Sequence, residues 1–263
     1  MQNEGVLRLS VFLGLLALFG LLEVLSPRRA RVAGRLGRWR TNLTLLVLGS
    51  ALLRLLALAV PLLAVGAALD AARLELGLFN RLDWPLWVEV LLALLILDLA
   101  IWAQHWLTHR VPLFWRFHRV HHADRDMDVT TGLRFHPVEI AVSMGLKIAL
   151  VYLLGPQPWA VLAFEVVLNG TALFNHANLA LPRRLDAALR LVLVTPDMHL
   201  VHHSQRRIEH DSNYGFALSL WDRIFGTYRA KPVDGLQGTT VGLEWQDERP
   251  THLGWSLLLP FRR

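Results

Sequence analysis

From Leu9 to Leu25 the chain carries a single charged side chain, Glu23, and comparable apolar runs recur at Leu43–Leu69, Pro85–Ala103, Val138–Leu154 and Trp159–Phe174. About 20 apolar residues in a row are what an α-helix needs to cross a bilayer, so each run reads as a membrane-spanning helix and the fold class as all-α. The hydrophobic share of 54% is high for a soluble domain, and 263 residues are compatible with one domain. Met1–Gly5 lacks a basic segment and Ser26-Pro27-Arg28-Arg29 does not resemble a cleavage site, so the first run is expected to stay as an anchor.

The arginines orient these helices. Six of them, Arg28, Arg29, Arg31, Arg35, Arg38 and Arg40, lie between the first two apolar runs, which makes that short loop cytoplasmic by the positive-inside rule. A basic loop between two apolar runs has little room to be a nucleic-acid surface, and no nucleic-acid partner is expected. Leu43–Leu69 is longer than one span needs and contains Arg54 and Pro61, which predicts a single kinked or tilted helix with Arg54 facing protein or water. The third run has Trp84, Trp87, Trp102 and Trp106 near its ends as interfacial anchors, and three passes return Trp106 to the cytoplasmic side. Gly155-Pro156-Gln157-Pro158 breaks the last apolar stretch in two. Helices joined by so short a turn run antiparallel, which brings their outer ends, near His136 and His176, together.

Ten of the twelve histidines lie between positions 105 and 203. His105 and His109 are spaced i, i+4; His118, His121 and His122 are spaced i, i+3, i+4; and His199, His202 and His203 repeat that pattern. On a helix each set is expected to aim its imidazoles at one spot. Packing so many imidazoles together without metal would leave polar atoms unpaired and invite repulsion on protonation. Eight or more are too many for one four-coordinate ion, so two ions are implied. The chain has no cysteine, which excludes thiolate zinc sites, iron–sulfur clusters and disulfides. Imidazole alone does not choose among zinc, copper, nickel and iron. The zinc-peptidase signature H-E-x-x-H is absent. A transporter should carry its ligands near mid-membrane, whereas these lie at the ends of apolar runs.

Asp98…His105-Trp-Leu-Thr-His109, Phe117-His118-Arg-Val-His121-His122, Phe174-Asn-His176-Ala-Asn, Thr195-Pro-Asp-Met-His199-Leu-Val-His202-His203-Ser and Trp221-Asp-Arg-Ile-Phe-Gly-Thr227 follow one another in this order. Over roughly Asp98 to Pro232 the chain resembles the fatty acid hydroxylase superfamily, also called the sterol desaturase family. The resemblance implies a multi-pass helical bundle with a cytoplasmic histidine-rich cap, in an inner or cytoplasmic membrane. It implies two iron ions, with zinc possible in purified or overexpressed protein, and oxygen-dependent hydroxylation of an unactivated lipid C–H bond. A lipid desaturase with the same centre, or a non-redox membrane zinc hydrolase, are the alternatives. Residues 1–97 then form the anchor, 98–232 the catalytic region and 233–263 a tail.

The expected metal ligands are His105, His109, His118, His121, His122, His176, His199, His202 and His203. Some members of the family have a histidine where this chain has Ala180, and His136, in Arg134-Phe-His136-Pro-Val-Glu139, is expected to replace it. Asp98, inside a span, is expected to pair with Arg54 or support the site. Asp124, Asp197, Asp211 and Asn213 are candidates for outer contacts to the imidazoles, the last two because a similar segment lies close to the metals in the family. His210 stands outside the repeated spacing and His252 is expected at the surface, while Leu253–Phe261 should dock at the interface or against the core. No haem, flavin or cluster motif and no fused cytochrome b5 domain is present, so electrons are expected from a separate ferredoxin- or cytochrome b5-like protein with its reductase.

Overall fold

The structure, a computed structural model, describes residues 4–59 and 63–262. In chain order the α-helices are α1 (Glu4–Leu25), α2 (Arg35–Ala59), α3 (Ala64–Arg73), α4 (Leu86–Arg110), α5 (Pro112–His122), α6 (Pro137–Leu154) and α7 (Pro158–His176), followed by the short α8 (Arg183–Leu189), α9 (Pro196–His202), α10 (Arg207–His210), α11 (Leu220–Ile224), α12 (Gly235–Gly238) and α13 (Leu253–Leu258). Among the described residues there is no strand, only three isolated bridges. The chain is an all-helical integral membrane protein, and α1, α2, α4 and α6 are long and apolar enough to cross a bilayer. Leu9, Leu13, Leu18 and Leu21 of α1 are exposed, as a helix facing lipid requires. α7 is of similar length but carries Glu165 and Asn169. It packs against α1, α3 and α4, and buries Glu165 against Lys147 of α6 (2.8 Å) and Arg8 of α1.

The α6–α7 hairpin forms as the Gly-Pro-x-Pro break predicts. Gly155 adopts φ +65°, its N–H closes the last turn on the Val151 carbonyl, and Pro158 opens α7. A Cβ on Gly155 would lie 2.5 Å from the Leu76 carbonyl oxygen, so this turn requires glycine. Glu89, at the start of α4, accepts from the Gln157 N–H, so α4 begins beside this turn and ends at the opposite face. Glu23, near the end of α1, accepts from the Val129 and Asn178 N–H groups, and Arg38, near the start of α2, binds Asp124. The ends of α1, α4 and α7 and the starts of α2 and α6 therefore converge on one side of the bundle, together with the histidines.

The run Leu43–Leu69 is not one kinked helix. α2 is described as far as Ala59, Leu63 is extended (φ −72°, ψ 167°) and α3 starts at Ala64, while Pro61 lies outside the described residues. Instead of extending α2, the small residues Ala64, Ala67 and Ala68 let α3 pack closely on Val151 and Val161 of the hairpin. Arg54 is exposed on α2. At the other end of the chain, Trp255 and Leu259 pack with Leu45, Val120 and Ala123, so the C-terminal segment docks against the core.

Candidate metal centre

Nine histidines, each no more than 6% exposed, converge from four elements. The last turns of α4 supply His105 and His109. Val111-Pro112 then ends α4 and starts α5, which returns His118, His121 and His122 to the same place. α7 ends on His176. Thr195 caps α9 by accepting from the Met198 N–H, Pro196 opens the helix, and His199, His202 and His203 follow.

These side chains form two groups rather than one. His105, His109, His118, His122 and His202 make the first; His121, His176, His199 and His203 make the second; within each group the ligand atoms lie within 4.8 Å of one another. This corrects the expectation that each H-x-x-H-H set aims at one spot. Residues i and i+4 of a helix differ by about 40° in direction, whereas adjacent residues diverge by about 100°. Each set thus sends its i, i+4 pair to one group and its middle histidine to the other, and the two H-H pairs straddle both groups.

The hydrogen bonds show which ring nitrogens face inward. Nδ1 of His105 donates to the Tyr214 carbonyl (2.7 Å), that of His202 to the Ser212 carbonyl (2.7 Å), that of His176 to the Ala172 carbonyl (2.7 Å) and that of His121 to the Arg134 carbonyl (3.3 Å). His118 Nδ1 meets the Glu139 carboxylate at 2.6 Å. A carbonyl only accepts, so these Nδ1 atoms carry the proton and the Nε2 lone pairs point inward. Yet Nε2 of His105 lies 3.1 Å from that of His118, and Nε2 of His176 lies 3.2 Å from that of His121. Lone pairs at such distances repel unless a cation lies among them. Burial, followed by the neighbouring imidazoles, holds His121, His122, His199, His202 and His203 well below the ordinary histidine range, so protons do not fill that role at neutral pH. Both ring nitrogens of His109, His122 and His203 are buried without a hydrogen-bond partner. The donor set fits two metal ions on all these counts.

Other expected site residues are placed as follows. The structure does not bring His136 to either group. It caps α6, its Nδ1 accepting from the Val138 N–H, and its Nε2 faces the Leu257 carbonyl. Asp98 accepts from the Trp221 indole and the Leu218 N–H, not from Arg54. Asp124 is bound by Arg38, Asn42 and Thr131, and Asp197 by Arg28, so both serve arginines rather than imidazoles. Asp211 lies 3.4 Å from His109 Nδ1 without a hydrogen bond between them. Asn213, at φ +52°, instead fastens the loop by donating to the Met198 and Arg229 carbonyls. His210 stacks on Trp115 beside the first group without joining it, and His252 is exposed.

Several contributors were not singled out from sequence. Asp222 accepts from the Tyr214 and Gly215 N–H groups and so fixes the carbonyl that holds His105. Gly132 packs where a Cβ would lie 2.7 Å from the Ala172 carbonyl that holds His176. Glu139, in the first turn after Pro137, is the one carboxylate within 3 Å of a ring nitrogen of the nine among the described residues. Replacing it by glutamine keeps an acceptor but removes the charge that would strengthen His118 as a metal ligand. Glu139→Gln is expected to weaken metal retention about 10- to 100-fold, read as metal content after dialysis against graded chelator. Unchanged retention would show that His118 needs no carboxylate.

A family model described as Fatty acid hydroxylase matches residues 90–227. Ornithine lipid hydroxylase OlsE of Rhizobium tropici is 31% identical over 150 residues, covering 57% of this chain and 44% of that protein. Alkylglycerol monooxygenase of Homo sapiens is 31% identical over 152 residues, covering 56% and 32%. Cholesterol 25-hydroxylase of Homo sapiens is 30% identical over 147 residues, covering 55% and 53%. The matches thus span from about a third to about half of these relatives' lengths. No solved structure matches the chain.

Proposed function

Because the chain belongs to the fatty acid hydroxylase family, we propose that it is a membrane-bound enzyme that hydroxylates an unactivated C–H bond of a lipid, using dioxygen and two iron ions. The observation that carries this reading is the pair of adjoining buried histidine groups, in which Nε2 atoms face one another at 3.1 and 3.2 Å. The relatives named hydroxylases and monooxygenases support the reaction class.

In this reading His105, His109, His118, His122 and His202 hold one iron, and His121, His176, His199 and His203 hold the other. The irons, when bound, supply the activation of dioxygen. The chain's own residues hold that centre rigid. The carbonyls of Tyr214, Ser212, Ala172 and Arg134 fix four rings in one tautomer, and the Glu139 carboxylate orients His118. Near-complete burial of all nine rings limits the access of water to the centre. Electrons come from a separate carrier protein of the ferredoxin or cytochrome b5 kind. Lipid mass spectrometry of expressing and non-expressing cells grown under isotopically labelled dioxygen tests the proposal. A lipid carrying one labelled oxygen is expected; no new product, or oxygen derived from water, would overturn it.

The histidine end is proposed to face the cytoplasm, since Arg28, Arg29, Arg31, Arg35 and Arg38 all gather there. The chain has no cysteine, so one introduced cysteine is its sole thiol label. Val32→Cys, at a position 67% exposed, should react with an impermeant maleimide only after the cells are opened, and Asp83→Cys should react in intact cells. Labelling of Val32→Cys from outside would reverse the assignment.

A further inference from the structure

The two faces of the histidine centre differ in chemistry. On one side Trp115, His210 and Asp211 border a cavity of about 330 Å³ whose walls include the charged Arg119, Arg207 and Glu244. On the other side are two phenylalanines. Phe135 lies flat on His121 of the second group, with ring centroids 4.4 Å apart and 8° between the planes, and 6.3 Å from His118 of the first. Phe216 lies 4.9 Å from His105 of the first group and 6.3 Å from His199 of the second. The two rings are 6.5 Å apart, so together they cover the midline between the groups. Both rings are only half-buried, although every histidine they touch is buried. Phe216 also packs onto Leu97, Ile101 and Phe164 with Leu150 and Leu168, the apolar interior between α4, α6 and α7.

We infer that Phe135 and Phe216 form an aromatic gate that receives the alkyl portion of a lipid arriving between α4, α6 and α7, and that Phe216 sets which carbon meets the centre. This deepens the hydroxylase reading and rests on it. An alkyl chain leaving the bilayer gains little from apolarity, because lipid tails are as apolar as leucine. What selects and stops the chain is therefore shape, and the shape it meets is set by two rings 6.5 Å apart and tilted 35° to each other over both groups. The opposite mouth is unsuited to that occupant, because an alkyl chain there would pass Arg119, Arg207, Asp211 and Glu244 and strip their hydration.

The test uses the full chain, metal-loaded, in lipid nanodiscs, with a long-chain fatty acid bearing a mid-chain diazirine as the probe. Photolysis followed by peptide mass spectrometry is expected to place label on the segments carrying Phe135 and Phe216, and Phe216→Trp is expected to reduce that labelling several-fold at unchanged metal content. With native lipids, Phe216→Ala is expected to move or broaden the hydroxylated position along the chain; Phe216→Leu, a milder change, gives the same reading if the alanine variant fails to fold. Label concentrated on the segments of Trp115 and Trp245 would overturn the gate. So would an unchanged hydroxyl position in both Phe216→Ala and Phe216→Leu with full metal content. If the wild-type chain is labelled at both phenylalanines but forms no hydroxylated lipid, the gate stands as an alkyl-binding site and the hydroxylase reading fails instead.

Discussion

His121→Ala is expected to lower the metal content from two ions per chain to one and to abolish lipid hydroxylation. The second group has four histidines, so this change leaves three and returns the facing Nε2 of His176 to an unpaired state. Loss even of an outer contact to a ligand costs about 10- to 100-fold in affinity or activity, and loss of a ligand itself should cost at least as much. His202→Ala acts on the five-membered group and leaves four histidines there. Its metal loss should accordingly be milder, while product formation still falls by about 100-fold or more, because His202 lies against both His105 and His122 (ring centroids 4.5 and 4.6 Å). His252→Ala, at an exposed position, should change neither quantity. His210→Ala should keep both metals, since His210 belongs to neither group. Elemental analysis of chelator-free protein, read beside lipid product, checks the set. Full metal and full product in His202→Ala would remove the third histidine set from the centre.

What could be read from the chain was whatever has a local signature. Apolar runs with a Gly-Pro-x-Pro break foretell the α6–α7 hairpin, and i, i+3, i+4 spacing foretells converging imidazoles, because both depend on the geometry of a single helix. The division of each set between two groups follows from the same geometry but becomes visible only once the positions of the partner helices are known. His136 shows the opposite failure. It stands beside Pro137 at a helix start, and its ring caps α6 instead of joining either group. Asp124 is read from sequence as a candidate contact to the imidazoles, whereas its partner Arg38 lies 86 residues earlier in the chain, a separation that leaves no trace in local pattern. The interruption between α2 and α3 is illegible for a related reason. The sequence supports either a kink or a stop, and it is the small-residue face of α3 that decides by packing on the hairpin.

Arg134→Ala is expected to destabilise the folded chain by about 3–5 kcal/mol, because it leaves several buried acceptors without their donor at about 1–3 kcal/mol each. The Arg134 side chain is fully buried and donates to the Val120 carbonyl (2.7 Å), Asn42 Oδ1 (2.8 Å), the Pro250 carbonyl (2.9 Å) and Ser256 Oγ (2.8 Å). It ties α2, α5 and the C-terminal segment to one point, while its own carbonyl accepts from His121. Beside it, burial alone would raise the Asp124 carboxyl, but Arg38 and Arg134 prevail and hold it at about 2 instead of 3.8. A depressed carboxylate contributes stability that is complete above the unfolded value and lost as pH falls through the folded one, so this contribution should fade between about pH 4 and 2. Thermal unfolding and metal content of purified protein, measured together, check the prediction. Arg134→Ala should lose both at once, although the side chain touches no imidazole. Wild-type stability with both metals bound would show that the network only fills space. Added metal separates this variant from the ligand variants. Excess metal drives binding to any folded molecule by mass action and should partly restore His202→Ala. It should do little for Arg134→Ala, whose deficit is the loss of the loop and helix contacts that bring the histidines together before any ion binds.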